Sequence, residues 1–240
     1  MKSIVDGDIL TYRCAASAEN DPVEIALLRC ENQINEIQNN TGSVEYDIYI
    51  SGESNFRYEI YPEYKANRKQ PKPKWLQECR EYLVTQHHAK ITEGYEADDA
   101  IGIAVALEKE GMVVVCSDDK DMLQIAGTHY NLRTQKSIYV APEEALYMFY
   151  FQLLVGDTAD NIKGCPGIGK VKAERALPYG ASEWELFEVC RDLYKNDEAM
   201  LLNGQLLWIW KKENDQWQFP AQPIIDLETG TTLESTQQME

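Results

Sequence analysis

Apolar and polar positions alternate between short runs and longer helical repeats in the first half of the chain, and only the helical repeat persists in the second. Ser3–Val5 is a short apolar run ending at Asp6-Gly7, which predicts a buried strand that runs into a loop, with Asp8 capping a helix behind it. Val23 to Gln38 predicts a second helix, closed by the turn-like Asn39-Asn40-Thr41-Gly42. Asp47 to Ser51 alternates like a strand. Pro71 and Pro73 interrupt the next stretch, and Trp75 to Gln86 resumes as a helix. Lys90 to Thr92 predicts another strand, and Asp98 to Lys109 has apolar residues at helical spacing. Met112 to Cys116 is an unbroken apolar strand, followed at once by Ser117-Asp118-Asp119-Lys120-Asp121 and a short helix.

After about residue 142 the pattern becomes helical. Pro142 to Val155 is one helix, Gly156 to Pro178 holds two short helices around a glycine-rich turn, and Ser182 to Lys211 gives two more. The tail from Phe219 is polar, has little to bury and predicts a poorly ordered terminus. Strands alternating with helices imply an α/β fold with a parallel sheet. In such sheets ligands lie beyond the carboxyl ends of the strands, where Asp6 and the Asp119/Asp121 pair both fall.

Those positions direct attention to eight carboxylates: Asp6; Glu96, Asp98 and Asp99; Asp119 and Asp121; Asp157 and Asp160. Taken singly, the clusters also suit helix caps or dipole-facing acids. Together they would repel, since two unit charges about 4 Å apart interact by roughly 4 kcal/mol at an effective dielectric near 20. Hard divalent cations with oxygen ligands relieve that repulsion, so the pattern points to a carboxylate-bound metal enzyme.

A net charge of −17 alone argues against a nucleic-acid partner, but the bases are unevenly placed. Arg57 to Lys74 carries six bases against two acids, and Lys163 to Arg175 four against one. Local field steers a polyanion, so these islands are candidate nucleic-acid contacts. In the first, Tyr64-Lys65-Ala66-Asn67-Arg68-Lys69 suits a base stacking on Tyr64 with Lys65 and Arg68 on phosphates, and Lys72 and Lys74 extend it. In the second, Gly164, Gly167 and Gly169 around Cys165-Pro166 let a turn bring backbone N–H groups to a phosphate, with Lys170 and Lys172 beside it. His87-His88 reads as an exposed helix end, and Trp208, Trp210 and Trp217 as packing residues. Six irregularly spaced cysteines and three histidines disfavour zinc and predict reduced, packed thiols. No targeting segment or long apolar run is present, which predicts a soluble, cytoplasmic protein.

Ile4-Val5-Asp6-Gly7, Tyr64-Lys65-Ala66-Asn67-Arg68, Glu96-Ala97-Asp98-Asp99, Ser117-Asp118-Asp119-Lys120-Asp121 and Gly156-Asp157-Thr158-Ala159-Asp160-Asn161, with the glycine turn, occur in an order that resembles the flap endonuclease/5′–3′ exonuclease family over about residues 1 to 195. The resemblance implies a PIN-like parallel-sheet catalytic domain with helices on both faces over 1–150, with a short basic arch at 62–75. It further implies a helix-three-turn-helix DNA-binding region over 151–218 and a tail over 219–240. All eight carboxylates would then serve two Mg2+ ions, replaceable by Mn2+, with Glu96, Asp98, Asp119 and Asp121 in the tighter group and Asp157 and Asp160 in the second-ion group. Lys65 and Arg68 match the catalytic basic pair and Tyr64 the stacking aromatic, and a monovalent cation would sit at the glycine turn. The implied activity is hydrolysis of DNA phosphodiesters at or near 5′ ends, flaps or nicks by a monomer of phage type. Alternatives are removal of RNA from RNA–DNA hybrids, or silent binding of DNA ends. Two departures stand out. Ser51-Gly52-Glu53 occupies the place of a further family aspartate, so either Glu53 reaches in or that ligand is missing. The span from Lys65 to Glu96 is also short for a threading arch.

Overall fold

Strand β1 (Lys2–Asp6) lies inside a six-stranded sheet with β2 (Glu45–Ile50), β3 (Lys90–Ile91), β4 (Val113–Cys116), β5 (Gly127–Tyr130) and β6 (Ser137–Val140). The order is β3-β2-β1-β4-β5-β6, and every neighbouring pair is parallel except β5–β6. The computed structural model describes residues 1–225 and 232–233. Successive side chains on a strand point to opposite faces, which is why a sheet covered on both sides reads as continuous apolar runs. Val5, Ile48, Ile50, Val114 and Cys116 face a core built with α1 (Gly7–Ser17), α2 (Val23–Thr41) and α4 (Leu76–His87). Ile4, Val113 and Val115 face the other way, onto Ile101 of α5 (Ala97–Ala106) and onto Ile209. A third core joins Tyr64 to α6 (Pro142–Val155), α7 (Lys170–Ala176), α8 (Glu183–Tyr194) and α9 (Asp197–Leu207) through Phe149, Leu153, Ala173, Phe187 and Met200. One further short helix, α3, spans Phe56–Ile60.

The chain leaves β1 for β2 on one side and returns for β4 on the other, so the strand order reverses at the carboxyl ends of β1 and β4. Asp6 closes β1, and Ser117 to Asp119 follow β4, which places both at this switch point.

Several local expectations are corrected. Asp6, not Asp8, caps α1, accepting from Ile9 N at 3.0 Å. Asp8 instead accepts from Ser51 N at 3.0 Å and from Arg80, tying α1 and α4 to the end of β2. Helix α2 runs on through Thr41, because Gly42 (φ +67°) supplies the left-handed residue that ends it. Only one helix, α7, forms between Gly156 and Pro178. Asp157–Ile162 is a tight turn whose ends exchange backbone hydrogen bonds of 2.9 and 2.7 Å. Gly156 and Gly164 meet at its base, where a Cβ on Gly164 would come within 2.5 Å of Gly156 N. The His87 side chain is buried, hydrogen-bonded to Tyr46 Oη and Glu31. Trp210 and Trp217 are buried, and Trp208 stands edge-on to Phe149. Phe219, at the start of the expected tail, packs on Phe187 and Trp217, while residues 226–231 and 234–240 lie outside the described residues. The six cysteines are free and buried. Among the described residues no helix is long and apolar enough to cross a membrane.

Candidate active site

Buried at the end of β1, Asp6 accepts from Ile9 N with one oxygen and from Ser117 Oγ, at 2.7 Å, with the other. Burial pushes its carboxyl up to about 7 against those two bonds, and the charges of Asp8 and Asp119 push the same way. Asp119 caps a short 3₁₀ turn (Lys120–Gln124), accepting from Asp121 N at 2.9 Å. Asp121 accepts from Gln152 Nε2 at 2.5 Å, and burial followed by the Asp119 charge raises it to about 6. Asp98, in the first turn of α5, rises well above the ordinary aspartate range. Burial is the largest cause, and the charges of Asp6, Glu96 and Asp119 add to it. Among the described residues, no hydrogen-bond donor meets the Asp98 carboxylate.

The other acids have partners. Glu96 accepts from Tyr64 Oη at 2.9 Å and from the Lys65 ammonium, and despite burial Lys65 and Arg57 hold it below its usual range. Asp160 accepts from Tyr64 Oη at 3.0 Å and pairs with Arg68. Asp157 accepts from the Ala159 and Asp160 amides and pairs with Lys120 at 2.8 Å; the lysine keeps it low despite burial. The loop bearing Tyr64 and Lys65 is fastened to the 157–162 turn by Lys65 N to Asp160 O (3.0 Å) and Asn161 Nδ2 to Glu63 O (2.9 Å).

The expected site residues therefore divide. Asp6, Glu96, Asp98, Asp119, Asp121, Asp157 and Asp160 are linked by hydrogen bonds, shared partners or mutual charge. Asp99 points elsewhere: fully buried, it takes Arg57 Nη1 and Nη2 at 2.6 and 2.9 Å and Trp210 N at 3.2 Å. Adjacent positions on a helix start face about 100° apart, so Asp98 and Asp99 cannot both face the site. Tyr64 is 3% exposed and offers no face for stacking; its hydroxyl instead bridges two carboxylates. Glu53 is exposed and is not among the charges acting on Asp6 or Asp98, so it does not stand in for an extra aspartate. Lys69, Lys72 and Lys74 are exposed, Lys74 lying 4.1 Å over the Trp75 ring. Lys170, Lys172, Gly167 and Gly169 are exposed at the start of α7, and Lys172 Nζ donates to Gly167 O at 2.8 Å, whereas Gly164 is buried.

Sequence reasoning missed Lys120 and Arg57 as partners of these acids. Lys120 was visible between two candidate acids, but no spacing tells a lysine that folds inward from one that is solvated. Among the described residues no three His, Cys, Asp or Glu side chains are drawn together as a finished metal ligand set. The donor chemistry nevertheless fits a hard divalent cation. Every donor is an oxygen, and Asp98, beside three other acids, accepts no hydrogen bond among the described residues and has only the Lys65 charge acting against its burial.

The sheet order, the acids at its switch point and the family comparison agree. Residues 2–149 match the family described as 5′-3′ exonuclease, N-terminal resolvase-like domain, and the chain belongs to that family. It is 33% identical over 196 residues to a 5′-3′ exonuclease of Buchnera aphidicola subsp. Schizaphis graminum, covering 69% of this chain and 66% of that protein. It is 34% identical over 151 residues to DNA polymerase I of Bacillus caldotenax, covering 54% of this chain but 17% of the polymerase. The chain thus spans less than two thirds of either relative. The structure of T5 5′-exonuclease with divalent metal ions (zinc) bound superposes with a TM-score of 0.65 at 19% identity, over 86% of this chain and 89% of that one. The T5 flap endonuclease in a pseudo-enzyme-product complex with DNA and metal ions gives 0.64, also at 19% identity, over 86% and 88%. At this identity the resemblance is one of fold.

Proposed function

We propose that this chain is a divalent-metal-dependent 5′–3′ exonuclease and flap endonuclease acting on DNA ends, nicks or flaps. The observation that carries the reading is Asp98, an acid that accepts no hydrogen bond among the described residues and lies within the charges of Asp6, Glu96 and Asp119, beside the switch point of a parallel sheet. Two Mg2+ ions, or Mn2+ in their place, would be held by Asp6, Glu96, Asp98 and Asp119 on one side and by Asp121, Asp157 and Asp160 on the other. When bound, such ions supply hydroxide at neutral pH and offset charge on the scissile phosphate.

The chain's own residues do the rest. Lys65 and Arg68, now resting on Glu96 and Asp160, would turn to the phosphate oxygens as negative charge develops there. Ser117 and the Ile9 amide hold both oxygens of Asp6 in one orientation. We assign catalysis to 1–150 and duplex binding to the helices of 151–218, a helix-three-turn-helix unit in which the Gly164–Gly169 turn, with a monovalent cation, and Lys170 and Lys172 contact backbone phosphates. The 62–75 segment contains turns but no helix and is fastened to the 157–162 turn, which favours trimming of free or nicked ends over threading of a long flap. The chain would act as a monomer in the cytoplasm.

A test compares 5′-labelled flap, nicked, blunt and RNA–DNA duplexes in Mg2+. Wild type should release labelled products that EDTA abolishes, and Asp119→Ala should cut at least about a thousandfold more slowly while still binding DNA. Folded wild type that cleaves none of them would overturn the reading, and cleavage confined to the RNA strand would reassign its substrate.

A further inference from the structure

Lys120 is exposed over two thirds of its side chain, yet its ammonium turns inward to bridge two acids, Asp157 at 2.8 Å and Asp121 at 3.2 Å. Asp157 is nearly buried, 7% exposed, and its other oxygen is taken by the Ala159 and Asp160 amides. The oxygen that Lys120 holds is therefore the one left for any other cation. Asp6, Asp98 and Asp119 have no such lysine: their hydrogen-bond donors are a hydroxyl and backbone amides, or in the case of Asp98 none among the described residues.

Resting on the proposed metal-dependent reading, we propose that Lys120 is a resident counter-cation that competes with the second divalent ion for the Asp121/Asp157 pair. In the first ion's group only Glu96 rests on a lysine, Lys65, while Asp6, Asp98 and Asp119 form no salt bridge among the described residues and offer oxygens with no ammonium to displace. The second must expel an ammonium whose tether keeps it at high local concentration, and the expelled side chain already lies mostly in solvent. Lys120 thus sets the divalent concentration at which the second position fills, and until then shares its one positive charge between Asp121 and Asp157.

Calorimetric titration of Mn2+ into the full chain, at fixed pH and ionic strength, tests this without reference to turnover. Wild type should bind one ion tightly and a second weakly. Lys120→Met keeps the apolar stem and removes the charge, and should tighten the second ion by roughly three- to tenfold, the range expected for releasing a partly exposed ion pair. Lys120→Arg should behave as wild type, and Asp157→Asn should lose the weak site in either background. Thermal melting of each variant checks folding, which an exposed side chain leaves intact. Unchanged or weaker second-ion binding in Lys120→Met overturns the role of Lys120. Absence of any Mn2+ binding by folded wild type instead overturns the metal-dependent reading on which it rests.

Discussion

Two sides of one acidic cluster have been given opposite treatments. On one side Asp6, Asp98 and Asp119 form no salt bridge among the described residues and take hydrogen bonds only from amides and a hydroxyl, and the carboxyls of Asp6 and Asp98 rise. On the other side Glu96, Asp157 and Asp160 are each met by a lysine or arginine, and Glu96 and Asp157 are held low. Asp99 belongs with the second set although it adjoins the first in sequence. The difference shows that an acid's environment, more than its place in a motif, separates an acid awaiting a cation from one already satisfied.

The comparison is broken most decisively at the neighbours Asp98 and Asp99. Asp99→Ala leaves the buried Arg57 guanidinium without its carboxylate and frees the Trp210 amide, so unfolding free energy should fall by about 3–5 kcal/mol. Arg57 also donates to the carbonyls of Leu206 and Trp208, at 2.8 Å each, so the segment after α9 should loosen with it. Asp98→Ala removes an acid from a repelling group, and in the metal-free protein should cost nothing or raise stability. Urea unfolding without divalent ions measures both. Equal losses would show that Asp98 and Asp99 are alike.

A smaller effect follows from pH. The folded values of Asp6 and Asp121, about 7 and about 6, lie above the ordinary 3.8. The fold therefore retains protons that the unfolded chain releases, and metal-free stability should decline as pH rises from about 4 to about 7, then level off. Divalent ions bind the ionised form, so the rise in melting temperature on adding Mg2+ should be larger at pH 8 than at pH 5. A Mg2+ effect independent of pH would mean that these acids are not where the ions go.

How much of this was legible in the chain depends on what each feature requires. The strand ending at Asp6 and the apolar run 113–116 were readable because burial on both faces leaves an uninterrupted apolar signature. Their meeting followed from the parallel topology. The β5–β6 hairpin was not foreseen: Gly-Thr-His-Tyr and Ser-Ile-Tyr-Val are four residues each, and exposed Ile138 and Tyr139 blur the alternation. Asp99 and Tyr64 were assigned outward roles because a motif lists residue types without directions. Tyr64 faces inward because the turn at 61–64 and the left-handed Lys65 (φ +56°) drop it onto the third core.

Tyr64 carries the smallest and most diagnostic effect, because its single hydroxyl hydrogen is shared between Glu96 at 2.9 Å and Asp160 at 3.0 Å, one acid from each of the two proposed ion groups. If the ring stacked on a base, Tyr64→Phe would be nearly silent, since phenylalanine offers the same face. As a bridge it should lose about 0.5–1.5 kcal/mol of stability and leave the two acids free to repel. Mg2+ should then recover much of that loss by taking over the joint, so the variant's deficit in melting temperature should shrink as the ion is added. Tyr64→Leu, which fills the core without a ring, should match Tyr64→Phe in the Mg2+ needed and differ only in overall stability. A deficit in Tyr64→Phe that stays constant with added Mg2+ would detach the hydroxyl from the ion sites and leave it a packing contact.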